Sequence, residues 1–227
     1  MTRSVWRGMP VRIHRSSPIG LRSVSSFQHS GDVCLTLFAT MYPQYLDFPP
    51  QARVLEVGCA EADWLTPMKR LRPDLHLTGI DWRRCERPGA DTVIEGNVLA
   101  VDFTPQSFDA VVYVSSLEHI GLGHYDHDPL DDDGDIKAMK RTWDWLTPNG
   151  QVYFDVPWNP DPGYQVCGTE CRVYDDAALV ERFSSRRWWK EHARCWASMK
   201  DAQELIPRPT TKNGRFALCA CVWGKHE

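Results

Sequence analysis

Arg53-Val-Leu-Glu-Val-Gly-Cys-Ala-Glu-Ala62, followed by Leu77-Thr-Gly-Ile-Asp81, decides the fold. The first run reads as a buried strand, a tight turn of small residues and the start of a helix. The second reads as a strand that ends in an acid. Such a turn lets a ligand approach backbone N–H groups at a helix N-terminus. The carboxylate, 23 residues after Gly58, can take the two hydroxyls of a ribose. Together they make a nucleoside-binding half-site, although Gly-x-Ala-x-Ala alone also suits an ordinary strand–helix turn. Glu56 sharpens the reading, because its charge would repel a pyrophosphate and suit a sulfonium or a cationic amino acid. An NAD-dependent dehydrogenase is disfavoured, since the Gly-x-Gly-x-x-Gly fingerprint is absent.

Outward from this stretch the chain alternates strand and helix. Ser30 can cap a helix over 31–45 that carries Val33, Leu37 and Met41 on one face. Strands are predicted over 53–57, 76–80, 92–95, 109–114 and 151–156, and two more near 188–196 and 216–223. Helices are predicted over 62–71, 134–146 and 176–183. Pro67 implies a kink or break in the first of these, and Pro148-Asn149-Gly150 is a turn. Strands 53–57 and 109–114 are apolar throughout, as expected when both sheet faces are covered. Connections in the first half are too long for hairpins, so parallel pairing through right-handed crossovers follows.

Length and composition bound the rest. A chain of 227 residues reads as one domain with an N-terminal appendage and a core that needs no staples. No run of 18 apolar residues is present and the arginine-bearing N-terminus lacks an apolar h-region, so neither a membrane span nor a secretory signal is expected. Eight cysteines read best as thiols of a reducing cytoplasm. Cys167 and Cys171 could be half a zinc site, but no second Cys or His pair stands at ligand spacing. The net charge of −4 hides an asymmetry: residues 1–31 hold five arginines and no acid, whereas 126–135 hold six aspartates. The basic arm could meet nucleic acid or an anionic substrate; a strapped or flexible tail is favoured, because only Trp6 and Phe27 are interleaved. Among ten tryptophans, Trp64, Trp82 and Trp158 adjoin motif positions and could wall a pocket.

The motif series resembles a known superfamily. Val54-Leu-Glu-Val-Gly-Cys-Ala-Glu-Ala62, Gly79-Ile-Asp81, Glu95-Gly-Asn-Val98, Phe108-Asp-Ala-Val-Val112, Ser115-Ser-Leu-Glu-His-Ile120 and Leu146-Thr-Pro-Asn-Gly-Gln-Val152 look like successive motifs of class I S-adenosylmethionine-dependent methyltransferases. Ser115–Gly123, Asp128-Pro-Leu-Asp131, Asp133-Gly-Asp135 and Arg172-Val-Tyr174 look more narrowly like a small bacterial branch associated with sugar, polysaccharide or secondary-metabolite modification. The resemblance implies a Rossmann-like α/β fold: a seven-stranded, mostly parallel sheet of order 3-2-1-4-5-7-6, last strand antiparallel, with helices on both faces. It divides the chain into a basic arm over 1–30 and one domain over 31–227, with a cofactor part at 52–157 and substrate-side loops at 120–135 and 157–175. It implies that Gly58, Cys59 and Ala60 pass under the methionine part of S-adenosylmethionine and that Glu56 faces its positive charge. Asp81 would take the ribose, Trp82 would lie against the adenine, Asn97 would bond the adenine amino group, Val98 would offer a backbone N–H, and Ser115 and Ser116 would close the pocket.

Methyl transfer to a hydroxyl needs alignment, exclusion of water and a base. His119, just after the fourth strand, is the first candidate base, against the alternative of a histidine packed to hold the turn. His124 and His127 follow on the substrate-side loop, and Asp155 with Trp158 could line the acceptor pocket. The run Asp126-His-Asp-Pro-Leu-Asp-Asp-Asp-Gly-Asp135 admits three readings. It can be turn chemistry with Asp133 or Asp135 starting a helix. It can be an acidic lip for an aminosugar. It can also be a divalent-metal site, which is not favoured, with Asp126, Asp128 and Asp131 as weak ligand candidates and no bidentate Glu of a calcium loop. The expected activity is methylation of a small, sugar-containing acceptor hydroxyl by a cytoplasmic monomer or homodimer. The alternatives are an RNA or aminosugar N-methyltransferase and a catalytically silent scaffold subunit; nucleic-acid and membrane partners are disfavoured.

Overall fold

The computed structural model describes residues 48–61, 64–125, 129–159, 163–183, 188–196 and 217–225; the predicted helix over 31–45 and the basic arm lie outside them. Five strands, β1 (Arg53–Val57), β2 (His76–Asp81), β3 (Thr92–Glu95), β4 (Phe108–Tyr113) and β5 (Leu146–Trp158), pair in parallel. A hairpin of β6 (Gln165–Cys167) and β7 (Cys171–Val173) stands apart, and β8 (Trp188–Trp196) and β9 (Ala217–Lys225) complete the sheet. The seven-stranded order is β3-β2-β1-β4-β5-β9-β8, and β9 runs antiparallel to both neighbours. In order of appearance within the sheet this is the expected 3-2-1-4-5-7-6.

Side-chain alternation along the strands builds two cores. Val54, Leu77, Ala110, Val112 and Tyr153 point to one face and meet Leu65 and Met68 of helix α1 (Leu65–Leu71). Leu55, Val57, Ile80, Val111, Val152 and Phe154 point to the other. There they meet Met139 and Trp145 of helix α2 (Gly134–Trp145) and Leu179 and Phe183 of helix α3 (Asp176–Phe183). Apolar surface leaves water on both faces, which is why these strands read as continuous apolar runs. Among the described residues no helix is long and apolar enough to cross a membrane.

Two local expectations are corrected. Pro67 does not kink α1, because the helix starts at Leu65 and the proline occupies its first turn, where N–H groups have no intrahelical acceptor. Pro148-Asn149-Gly150 does not precede β5 but bulges within it: pairing with β4 jumps from Leu146 to Gln151, with Asn149 at φ +63°. The β6–β7 hairpin had no legible signal, since three-residue strands are too short to show alternation.

Candidate functional site

At the C-terminal ends of β1, β2 and β4 lies a cleft of about 700 Å³, open solvent included. Its wall begins at Gly58, whose φ of +85° turns the chain sharply out of β1. A β-carbon there would fall 2.5 Å from Ser116 Cβ, so only glycine fits. Gly58 N–H donates to the Ile80 carbonyl at 2.8 Å, tying the turn to β2. Cys59 points away from the cleft into the core, its Sγ 3.7 Å from that of Cys85. Burial, reinforced by the Glu56 charge, pushes its thiol far above the usual range. Arg87, unremarked in the sequence, donates from Nε to the Cys59 carbonyl at 2.6 Å and from a terminal nitrogen to the Ala60 carbonyl. The turn is thus pinned from outside; of its small residues Gly58 lines the cleft, whereas Cys59 and Ala60 do not.

Asp81 ends β2 at 5% exposure. Its Oδ2 accepts the Ala60 N–H at 2.8 Å, and its Oδ1 accepts the Arg83 N–H at 2.8 Å and Nε–H at 3.2 Å. The same guanidinium donates to Glu61 at 2.7 Å and lies 4.1 Å over the Tyr125 ring. Trp82 lines the cleft beside it. Asn97 and Val98 line the far end. The Asn97 Oδ1 already accepts the Leu99 N–H at 2.8 Å, and its carbonyl accepts from Ala100 and Val101. Asn97 therefore holds its own turn, leaving the side-chain NH₂ and one further lone pair for a ligand.

The floor is built by β4 and β5. Ser115 and Ser116 both line it, and the Ser116 hydroxyl donates to the Val57 carbonyl at 2.7 Å. Asp155 lies beneath them, fully buried, and accepts the Ser115 N–H at 2.9 Å and hydroxyl at 2.6 Å. It supports the floor and does not line the cleft, so the expectation that Asp155 lines the acceptor pocket is not met by this geometry. Glu118 is buried nearby with Oε2 unpartnered among the described residues. Burial pushes both carboxyls up to about 8, and for Asp155 the Glu118 charge adds to it. Glu56, also fully buried in β1, lies behind the turn and not on the cleft wall.

His119 lines the cleft in a one-turn 3₁₀ helix over Leu117–His119. Its Nδ1 bonds the Glu170 carbonyl, from the turn of the β6–β7 hairpin. A carbonyl only accepts, so Nδ1 carries the proton and Nε2 of the neutral ring is left with a lone pair. Nε2 stands 3.7 Å from Glu118 Oε1. Burial holds the imidazole below its ordinary pKa of 6.5. His124 is exposed and stacks on His119, ring centroids 5.0 Å apart, and Tyr125 meets His124 edge-on at 4.6 Å.

Other candidates lie elsewhere. Trp64 is a core residue packed on Phe48, and Trp158 donates to Asp176 at 3.3 Å away from the cleft. Asp126, His127 and Asp128 lie outside the described residues. In the rest of the acidic run, Asp131 pairs with Lys137 at 2.6 Å, and Asp133 is the N-cap residue of α2 without a side-chain capping bond. Asp135 is fully buried, accepting from Arg182 at 2.6 and 2.9 Å and from Tyr174 at 2.9 Å, with Arg172 Nε 3.7 Å away. Arg172 donates to the carbonyls of Glu118, Ile120, Asp131 and Asp132. The run is a structural clasp here, and among the described residues no three His, Cys, Asp or Glu side chains converge as metal ligands. Cys167 and Cys171 face each other as free thiols across the hairpin.

A profile of the family described as "Methyltransferase domain" matches residues 33–212. No functionally curated protein matches the sequence. Similar solved structures include the Burkholderia thailandensis 1,6-didemethyltoxoflavin-N1-methyltransferase with 1,6-didemethyltoxoflavin and S-adenosylhomocysteine bound, at 16% identity over 87% of this chain and 79% of that one, TM-score 0.56. The cyclase SpnF aligns at 14% identity over 91% and 84%, TM-score 0.60. The O-methyltransferase of a Brevibacillus brevis trans-AT PKS multienzyme, with S-adenosyl-L-homocysteine, aligns at 12% over 86% and 72%, TM-score 0.59.

Proposed function

The chain belongs to the methyltransferase-domain family of S-adenosylmethionine-dependent enzymes, and we propose that it methylates a hydroxyl of a small, sugar-containing acceptor. The cleft suits the cofactor: glycine is required at 58, an acid ends β2, and the space between them is open. S-adenosylmethionine supplies an activated methyl group on a sulfonium. Gly58 and Ala60 would leave room for its amino-acid part, Asp81 would accept from its ribose, Trp82 would face the adenine, and Asn97 with the Val98 N–H would read the ring edge. Ser115 and Ser116, held by Asp155 and Val57, would close the floor.

The observation that carries the hydroxyl acceptor is the tautomer of His119. With Nδ1–H given to the Glu170 carbonyl, Nε2 of this cleft-lining imidazole keeps the lone pair that would take the acceptor's proton. Its depressed pKa keeps it unprotonated near neutrality. His119 and Tyr125 line the cleft, and the C–H edges of a sugar ring would pack against their exposed ring edges. Division into a basic arm over 1–30 and a catalytic domain over 31–227 remains part of this reading.

Calorimetry tests the cofactor. S-adenosylhomocysteine should bind more tightly than millimolar, about 4 kcal/mol of binding free energy, and Asp81→Ala should weaken it. Absence of binding would sink the reading. Turnover with glycoside acceptors, in which His119→Ala lowers kcat and leaves cofactor affinity intact, tests the acceptor chemistry.

A further inference from the structure

Asp81 has fewer free lone pairs than a ribose requires. A carboxylate offers roughly four acceptor positions. Three are filled within the chain: Ala60 N–H on Oδ2, and Arg83 N–H and Nε–H on Oδ1. At most one remains, and a vicinal diol presents two donors. The two backbone bonds belong to the turn and to the chain just after β2, so neither can leave without refolding them. The Arg83 side chain can leave, because two other anchors already hold it outside Asp81: Glu61 at 2.7 Å and the Tyr125 ring at 4.1 Å. It is one-third exposed, so a change of rotamer displaces no core packing.

We propose that the Arg83 side chain is a placeholder for the ribose diol, bonding Asp81 until a ribonucleoside enters and then withdrawing to Glu61 and Tyr125. The inference rests on the nucleoside reading of the cleft and adds to it a residue that sets ligand selectivity. While the site is empty, Arg83 compensates a carboxylate largely withdrawn from water. When the diol arrives, it exchanges two hydroxyl donors for one guanidinium donor. A nucleoside with no hydroxyls gains nothing by the exchange and leaves Arg83 where it is. The guanidinium, still bound to Glu61 and stacked on Tyr125, then spans the turn after β1 and the loop after β4 beside the bound sugar.

The test compares adenosine with 2′,3′-dideoxyadenosine on the full-length protein and on Arg83→Gln. In the wild type, part of the gain from the two hydroxyls is offset by the lost Arg83 bond. In R83Q that offset is gone, so the affinity ratio of adenosine to the dideoxy analogue should rise about tenfold, the worth of one hydrogen bond to a charged group. In parallel, the Arg83 Nε–H resonance of the labelled wild type should move on saturation with S-adenosylhomocysteine and stay still with the dideoxy analogue. An unchanged or smaller ratio in R83Q, or an Nε–H signal indifferent to S-adenosylhomocysteine, overturns the placeholder while leaving the nucleoside site standing. Failure of S-adenosylhomocysteine and adenosine to bind either protein removes the nucleoside site and the placeholder together.

Discussion

Ser115 bonds Asp155 twice, through its backbone N–H at 2.9 Å and its hydroxyl at 2.6 Å, while its own backbone is held at φ +43°. A left-handed conformation is costly for serine, and the buried carboxyl is what secures it. Asp155 and Glu118 both titrate upward toward about 8, primarily through burial. A carboxyl that keeps its proton longer in the folded chain than in the unfolded one contributes stability below its unfolded pKa, near 4, and loses it as pH rises through the folded value. The melting temperature should therefore fall between about pH 4 and pH 8 on this account. Every ~2 kcal/mol of such linkage lowers it by roughly 4–8 °C. Thermal melts across pH check this, and Asp155→Asn or Glu118→Gln should flatten the slope.

Gly58→Ala should damage both stability and ligand binding. The substitution meets a φ of +85° and places its β-carbon 2.5 Å from Ser116 Cβ. The expected loss is about 2–3 kcal/mol, read from urea unfolding, with at least a tenfold weaker S-adenosylhomocysteine affinity. Adding Ser116→Gly should recover part of the stability, because it removes the clash and leaves the backbone strain. Ser116→Ala should recover none.

Around Asp135 the order of effects is fixed by burial. Asp135→Ala would leave the fully buried Arg172 without its nearest anion, at a cost of about 3–5 kcal/mol. Arg182→Ala should cost less, since its side chain reaches solvent and Asp135 keeps Tyr174 and Arg172. Equal losses in denaturant titrations would contradict this hub.

His119→Gln should lower kcat by about 10²–10⁴ if Nε2 is the base, with little change in cofactor affinity. Because burial depresses this imidazole, the acid limb of kcat should fall below pH 6.5, the ordinary histidine value. A limb at or above 6.5 would point to another base. His124→Ala should have a smaller effect, since that ring is exposed and only stacks on His119.

The sheet was readable because its signals are local. Apolar runs at 53–57 and 109–114 demand cover on both faces, and long connections between them demand parallel pairing. Gly58 and Asp81 were readable for the same reason, each ending a strand. Arg83 and Arg87 were not, because nothing in Trp82-Arg-Arg-Cys-Glu-Arg87 says which arginine folds back onto Asp81 and which onto the Cys59 carbonyl. That cluster of cations directly after an acid-ended strand was the available hint. Asp155 was misplaced because a carboxylate at a strand end looks the same in sequence whether it faces a ligand or holds the residue above it. In the acidic run, turn and cap chemistry was readable but the clasp was not, because its partners, Arg172 and Arg182, arrive from 40 and 47 residues away.

The carbonyl that orients His119 belongs to Glu170, in a three-residue turn of a hairpin that takes no part in the main sheet. On the proposed reading, donor recognition and acceptor choice are therefore carried by separate stretches of chain. Grafting a different 168–170 turn would re-aim the imidazole without altering β1 or β2. Substrate range could thus drift, or be engineered, by trading one small appendage while the nucleoside pocket is inherited intact.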